Sequence, residues 1–183
     1  MTKVLSNFLP TEMADELEEV FSSHEFPWFW RPSTTHGVDE GSEGSGDYQF
    51  VHIVYYDNEP QSQLFEIVRP LLFEFEKATS LAIKDIYKIK ANLLPKQLLE
   101  DAEVEESIHI DIDKGDKKYI SIVYYVIDSD GDTVIYDDKG VVKANPIKGD
   151  AVYFPSYIRH RATPPVLNKR RIVLNIIVEL EVI

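Results

Sequence analysis

The spacing of apolar residues changes period partway along the chain. Residues 10–22, PTEMADELEEVFS, place Met13, Leu17, Val20 and Phe21 on one helical stripe, with Thr11 as the cap and acids in the early turns. Residues 61–79 repeat that spacing through Leu64, Ile67, Val68, Leu71, Leu72 and Phe75, which predicts a second helix that Pro70 kinks or interrupts nearby. Between them YQFVHIVYY, at 48–56, alternates as a strand, and IYKIKANLL, at 86–94, reads as another. The stretch HEFPWFWRPST is dense in aromatics and proline. Residues 37–47 are glycines with Ser, Asp and Glu, a loop that is either a lid or a disordered tip.

From residue 107 the texture is different. SIHIDI, YISIVYYVI, TVIYD, VVKAN, AVYFPS and RIVLNIIVELEV follow one another, separated by turn-forming runs such as KGDK, DSDGD, DKG and PIKGD. Short β-branched segments punctuated this way predict a sandwich, jelly roll or barrel. The expected class is mainly β with N-terminal helices (α+β), without internal repeats. The length of 183 residues suits one domain. Residues 1–104 would be a support region of helices and strands, and 105–183 the β-core.

Composition narrows the chemistry. There is no cysteine, so any metal must sit on nitrogen and oxygen ligands. Acids outnumber bases by 32 to 19, a formal charge of −13, which disfavours nucleic acid as a partner. No apolar run is long enough for a bilayer and the N-terminus lacks the pattern of a secretory signal. The expectation is a cytoplasmic protein with no membrane partner, of a kind that suits a microbial or viral source. Oligomeric state is not readable.

His109 lies two residues before Asp111 in a strand pattern, so both side chains point the same way. His160 follows 49 residues after Asp111, just beyond AVYFPS, where an antiparallel strand can return beside the first. Two imidazoles and one carboxylate make the facial triad of non-haem iron(II) oxygenases, which leaves positions open for a 2-oxo acid and dioxygen.

The order of motifs goes further. HIDIDKGDKKYISIVYYV precedes DGDTVIY; KGDAVYFPS runs into Arg159 and His160; TPPV and KRRIVLN follow. Over residues 86–180 this order resembles the 2-oxoglutarate/Fe(II) oxygenases, in their prolyl 4-hydroxylase-like branch. The resemblance implies a double-stranded β-helix core, jelly-roll and cupin-like, packed against helices, with His109, Asp111 and His160 as iron ligands. It implies that a basic residue opening the last strand grips the distal carboxylate of 2-oxoglutarate. Arg171 is the choice, with Arg170 the alternative. The resemblance further implies that Tyr125, on the strand after the metal motif, touches the same carboxylate with its hydroxyl, that Ser121 shares its face, and that Asn175 fills the small polar position four residues after the carboxylate binder, all of them on the 2-oxoglutarate side. In place of the family's tyrosine motif, Ile-Lys-Ala-Asn stands at 89–92, where Asn92 would face 2-oxoglutarate.

The implied function is 2-oxoglutarate-, iron(II)- and dioxygen-dependent hydroxylation of a C–H bond, most simply of a prolyl residue in a peptide or protein, with ascorbate as an auxiliary reductant. Hydroxylation of a free amino acid or other small metabolite is the alternative. A catalytically silent β-helix that binds a metal or partner is the rival from another class. The retained Asp111 argues against the halogenating relatives. His24, His36 and His52 read as surface or core histidines, Asp113 as part of a turn, Phe26, Trp28, Phe29 and Trp30 as packing, and DSDGD as a turn, not a calcium loop.

Overall fold

The computed structural model describes residues 2–32, 48–97, 108–115 and 118–181. The 37–47 loop and His36 lie outside the described residues. Among the described residues the fold is mostly β, with two helices and two antiparallel sheets.

The larger sheet is built from β1 (Lys3–Leu5), β2 (Phe29–Arg31), β3 (Gln49–Tyr56), β4 (Glu59–Pro60), β5 (Ile83–Pro95), β6 (Tyr119–Tyr125), β9 (Ala151–Pro155) and β11 (Arg170–Leu180), in the order β1-β9-β6-β11-β5-β3-β2, with β4 beside β3. The smaller sheet runs β10 (His160–Ala162), β7 (Thr133–Asp137), β8 (Gly140–Ala144). A single antiparallel bridge adds His109 to its edge, opposite His160.

Period-two alternation decides what each strand shows to each side. On β11, Ile172, Leu174, Ile176 and Val178 enter a core formed with the two helices, while Val173 enters a second core with Val123, Val152, Phe154 and Ile135 between the sheets. On β6, Ile120, Ile122 and Tyr124 face the helices and Val123 and Tyr125 face the smaller sheet. Each fully buried aliphatic side chain of this kind contributes roughly 1.5–3 kcal/mol.

Helix α1 (Thr11–Ser22) buries Ala14, Leu17 and Phe21. Pro10, not Thr11, occupies the cap position, and no side chain caps the helix. Lys148 instead ties α1 down through Asp15 and Glu18. Helix α2 (Phe65–Thr79) buries Val68, Leu71, Leu72 and Phe75. Pro70 lies inside it without ending it. The helix stops at Ser80, in a left-handed conformation with φ 58°, whose N–H donates to the Glu76 carbonyl.

β5 is longer than its expected 86–94 span and pairs along β11 from Pro95 opposite Arg170 to Ile83 opposite Leu180. A strand assigned to the support region thus lies next to the last strand of the β-core, and the two regions share one sheet.

Candidate metal centre

The bridge between His109 and His160 brings the two imidazoles together, with reciprocal N–H···O bonds of 3.0 and 2.9 Å. Their ring centroids lie 4.5 Å apart. The Asp111 N–H donates to the Ser156 carbonyl at 3.0 Å, fixing the short segment against the end of β9. One ligand atom from each of His109, Asp111 and His160 lies within 4.8 Å of the others. His160 Nε2 is 3.5 Å from Asp111 Oδ2, and His109 Nε2 is 4.0 Å from Oδ1.

The surroundings set the ligand orientations. His160 Nδ1 lies 2.9 Å from the Ile158 carbonyl, so the proton belongs on Nδ1 and the Nε2 lone pair points at the cluster. Phe154 packs against the same ring at 4.7 Å. Ser121 donates its hydroxyl to Asp111 Oδ2 at 2.5 Å, and Ser156 Oγ lies 2.9 Å from Ser121 Oγ. Asn175 Nδ2 donates to Oδ1 at 3.4 Å. Burial pushes the Asp111 carboxyl up, but His160, the Ser121 hydroxyl, His109 and Lys90 outweigh it and hold the group below the usual carboxylate range. Two imidazole nitrogens beside a buried, ionised carboxylate fit an iron(II) ion.

A cavity opens beside the triad, lined by Gln49, Lys90, Asn92, Thr133, Arg171 and Asn175 among others, with Leu94, Val123 and Val173 as its apolar walls. Adjacent residues on β11 face opposite layers. Arg171 turns into the cavity, whereas Arg170 reaches the Ser22 carbonyl of α1 at 3.2 Å. Arg171 is 2% exposed; its Nε donates to the Gly131 carbonyl and its Nη2 to Thr133 Oγ1, each at 2.7 Å. Burial lowers the guanidinium's pKa, opposed by Tyr125 and Asp132. The guanidinium carbon lies 5.8 Å from the Tyr125 ring centroid. The Tyr125 hydroxyl lies 2.8 Å from Thr133 Oγ1 and 3.1 Å from the Ala144 carbonyl. Tyr125 therefore lies beside Arg171 and shares the Thr133 hydroxyl with it. Asn92 lines the cavity and donates to Gln49 Oε1 at 2.5 Å.

The sequence reading passed over Gln49, Thr133, Ser156 and Lys90. Lys90 is the most informative. It is 9% exposed in the middle of β5, on the cavity side, and Lys88 and Asn92 stand two residues to either side. Polar residues at 88, 90 and 92 alternate in the sequence with Ile89 and Ala91, a period-two pattern whose polar face the structure turns toward the cavity. Of the other described histidines neither joins the triad: His24 is exposed, and His52 is bonded to the Pro27 carbonyl at 3.0 Å and packed on Phe26. Asp113 is exposed in its turn. Phe26 is buried, while Phe29 and Trp30 are exposed. In DSDGD, Asp130 accepts the N–H groups of Val166, Leu167 and Asn168, so it pins a loop.

No family model matches the chain, and no curated protein matches it by sequence. Solved structures do match, and they are prolyl-4-hydroxylases and other 2OG-Fe(II) oxygenases. A Pseudomonas putida prolyl-4-hydroxylase is similar at TM-score 0.62 and 15% identity, over 99% of this chain and 92% of that one. A Trichoplax adhaerens prolyl hydroxylase, in complex with a hypoxia inducible factor oxygen degradation domain peptide, is similar at TM-score 0.67 and 16% identity, over 98% and 83%. The alpha ketoglutarate dependent epimerase SnoN of nogalamycin biosynthesis is similar at TM-score 0.63 and 12% identity, over 97% and 76%. At these identities the likeness is one of fold. No helix among the described residues is long and apolar enough to cross a membrane.

Proposed function

We propose that residues 1–183 form one 2-oxoglutarate- and iron(II)-dependent oxygenase unit with a double-stranded β-helix core, and that it hydroxylates a C–H bond. The observation that carries this reading is the convergence of His109, Asp111 and His160 beside a cavity that Arg171 enters from β11. In this reading the triad holds iron(II) and Arg171 holds the distal carboxylate of 2-oxoglutarate, since a planar guanidinium matches a carboxylate. Bound there, iron(II) supplies the oxidising chemistry, by which dioxygen is shared between succinate and the hydroxylated product.

The chain's own residues do the positioning. The Ile158 carbonyl keeps the proton on His160 Nδ1, leaving Nε2 to ligate. Ser121 and Asn175 each bond one oxygen of Asp111, and the Ser121 hydroxyl helps keep it ionised. Gly131, Thr133 and Tyr125 hold the guanidinium in place before any ligand arrives. Leu94, Val123 and Val173 exclude water along the cavity walls.

The prolyl hydroxylases among the matched structures favour a prolyl residue in a peptide or protein as substrate. A second reading, a free amino acid or other small metabolite, is favoured by the cationic Lys90 inside the cavity and by the likeness to SnoN. Anaerobic addition of iron(II) and 2-oxoglutarate should produce the weak visible charge-transfer band of the chelate, and oxygen should then yield succinate. Substitution His160→Ala should abolish both and weaken metal binding. Full succinate turnover in that variant would refute the site.

A further inference from the structure

We propose that the primary substrate carries a free carboxylate close to the C–H bond it presents, and that Lys90 receives that carboxylate. The inference rests on the oxygenase reading and names the class of molecule that reading leaves open.

Charge bookkeeping around the cavity leads to it. Iron(II), ionised Asp111, the Arg171 guanidinium and a 2-oxoglutarate dianion cancel in formal charge. Among the described residues Lys90 is then a surplus cation, 9% exposed, in the same cavity. Among them, the carboxylate whose field reaches it is Asp111, already committed to two imidazoles and the Ser121 hydroxyl. The other charges acting on it, Lys88 and Arg31, are also positive. A chain of net charge −13 thus gathers three cations on one side of this site. An unmatched buried cation is costly, and a bound anion removes the cost.

Register gives the position. Lys90 lies opposite Asn175, whose amide reaches Asp111, while Arg171 lies opposite Leu94. Four residues of strand separate Asn175 from Arg171, about 13 Å at the usual rise. Lys90 therefore sits in the row beside the metal ligands, and Arg171 at the far end. A diacid that reaches from the triad to Arg171 has its two carboxylates at those two places, so the anion left for Lys90 comes from the second substrate. That favours a free acid over an internal prolyl residue, whose carboxyl is tied up as an amide.

Manganese(II), which binds without turnover, provides the test. Ligand-observed NMR on protein loaded with manganese(II) and saturating 2-oxoglutarate would follow relaxation of acetate against acetamide, and of L-proline against L-prolinamide. The acids should relax at least fivefold faster than their amides with the wild-type chain. Substitution Lys90→Met should erase that difference, Lys90→Arg should keep it, and 2-oxoglutarate affinity should stay within twofold in both. Equal relaxation of acids and amides by the wild type overturns the proposal, as does acid preference that survives Lys90→Met. A tenfold loss of 2-oxoglutarate affinity in Lys90→Met also overturns it, by assigning the lysine to the co-substrate. Failure of the wild type to bind 2-oxoglutarate at all would instead sink the oxygenase reading.

Discussion

Replacing Lys90 with methionine should stabilise the ligand-free protein. Burial, reinforced by Lys88 and opposed by Asp111, with Arg31 adding to the lowering, brings the ammonium from 10.5 to about 8. At about 1.36 kcal/mol per pH unit, that displacement costs the folded chain about 3 kcal/mol wherever the lysine is charged in both states. Lys90→Met keeps an apolar stem of similar length and removes the charge, so at pH 7 it should gain up to about 3 kcal/mol. The sign of the pH dependence follows. The folded value lies below the unfolded one, so between pH 8 and 10.5 the unfolded chain holds more protons. Stability due to this group therefore rises with pH across that window, and below pH 8 the cost is fully present. Urea unfolding of both proteins at pH 7, 8, 9 and 10 should show a gap that is widest at pH 7 and shrinks above pH 8. A variant no more stable than the wild type at pH 7, or a gap that does not narrow, would refute the assignment of Lys90 as a strained cation.

Substitution Ser121→Ala removes the hydroxyl on Asp111 Oδ2, so manganese(II) affinity measured by electron paramagnetic resonance should fall about tenfold; unchanged affinity would mean the hydroxyl does not orient the ligand. A methyl group at Gly131 would lie 2.3 Å from the Thr163 carbonyl oxygen, so Gly131→Ala should cost about 1–3 kcal/mol in urea unfolding and weaken 2-oxoglutarate binding by displacing the carbonyl that holds Arg171. The Asp137 carboxyl is held at about 2 by the Thr2 hydroxyl and amide, so its contribution to stability is present above pH 3.8 and is lost as pH falls toward 2. Thr2→Ala should raise the Asp137 value in a carboxyl NMR titration; an unmoved value would rule out the hydroxyl as its cause.

Strand alternation put His109 and Asp111 on one face; the structure brings them together without a strand there, on a short segment that pairs only at His109 and bends at Asp111. Arg171 could be preferred over Arg170 only through resemblance, since each lies on a plausible face until the helix layer is placed. The structure separates them by sending Arg170 to Ser22. Tyr125's face was legible, but its hydroxyl partners Thr133 and Ala144 were not, since they become neighbours only when β7 and β8 close over β6. Thr11 was a sound cap by composition and lost the place to Pro10, whose φ of −54° suits that position. Lys90 was missed because an interior strand lysine reads as a solvated face unless the burial of Ile89 and Ala91 on the other side is weighed against it.

β11 is made after every other strand of the larger sheet, yet it lies between β6 and β5 at the sheet's middle. Until it arrives, β1, β9 and β6 on one flank and β5, β3 and β2 on the other have no shared neighbour. The strand acts as a keystone placed after both its neighbours, so β6 and β5 each present an unpaired edge until β11 follows them, and Arg171 and Asn175 reach the site only with it.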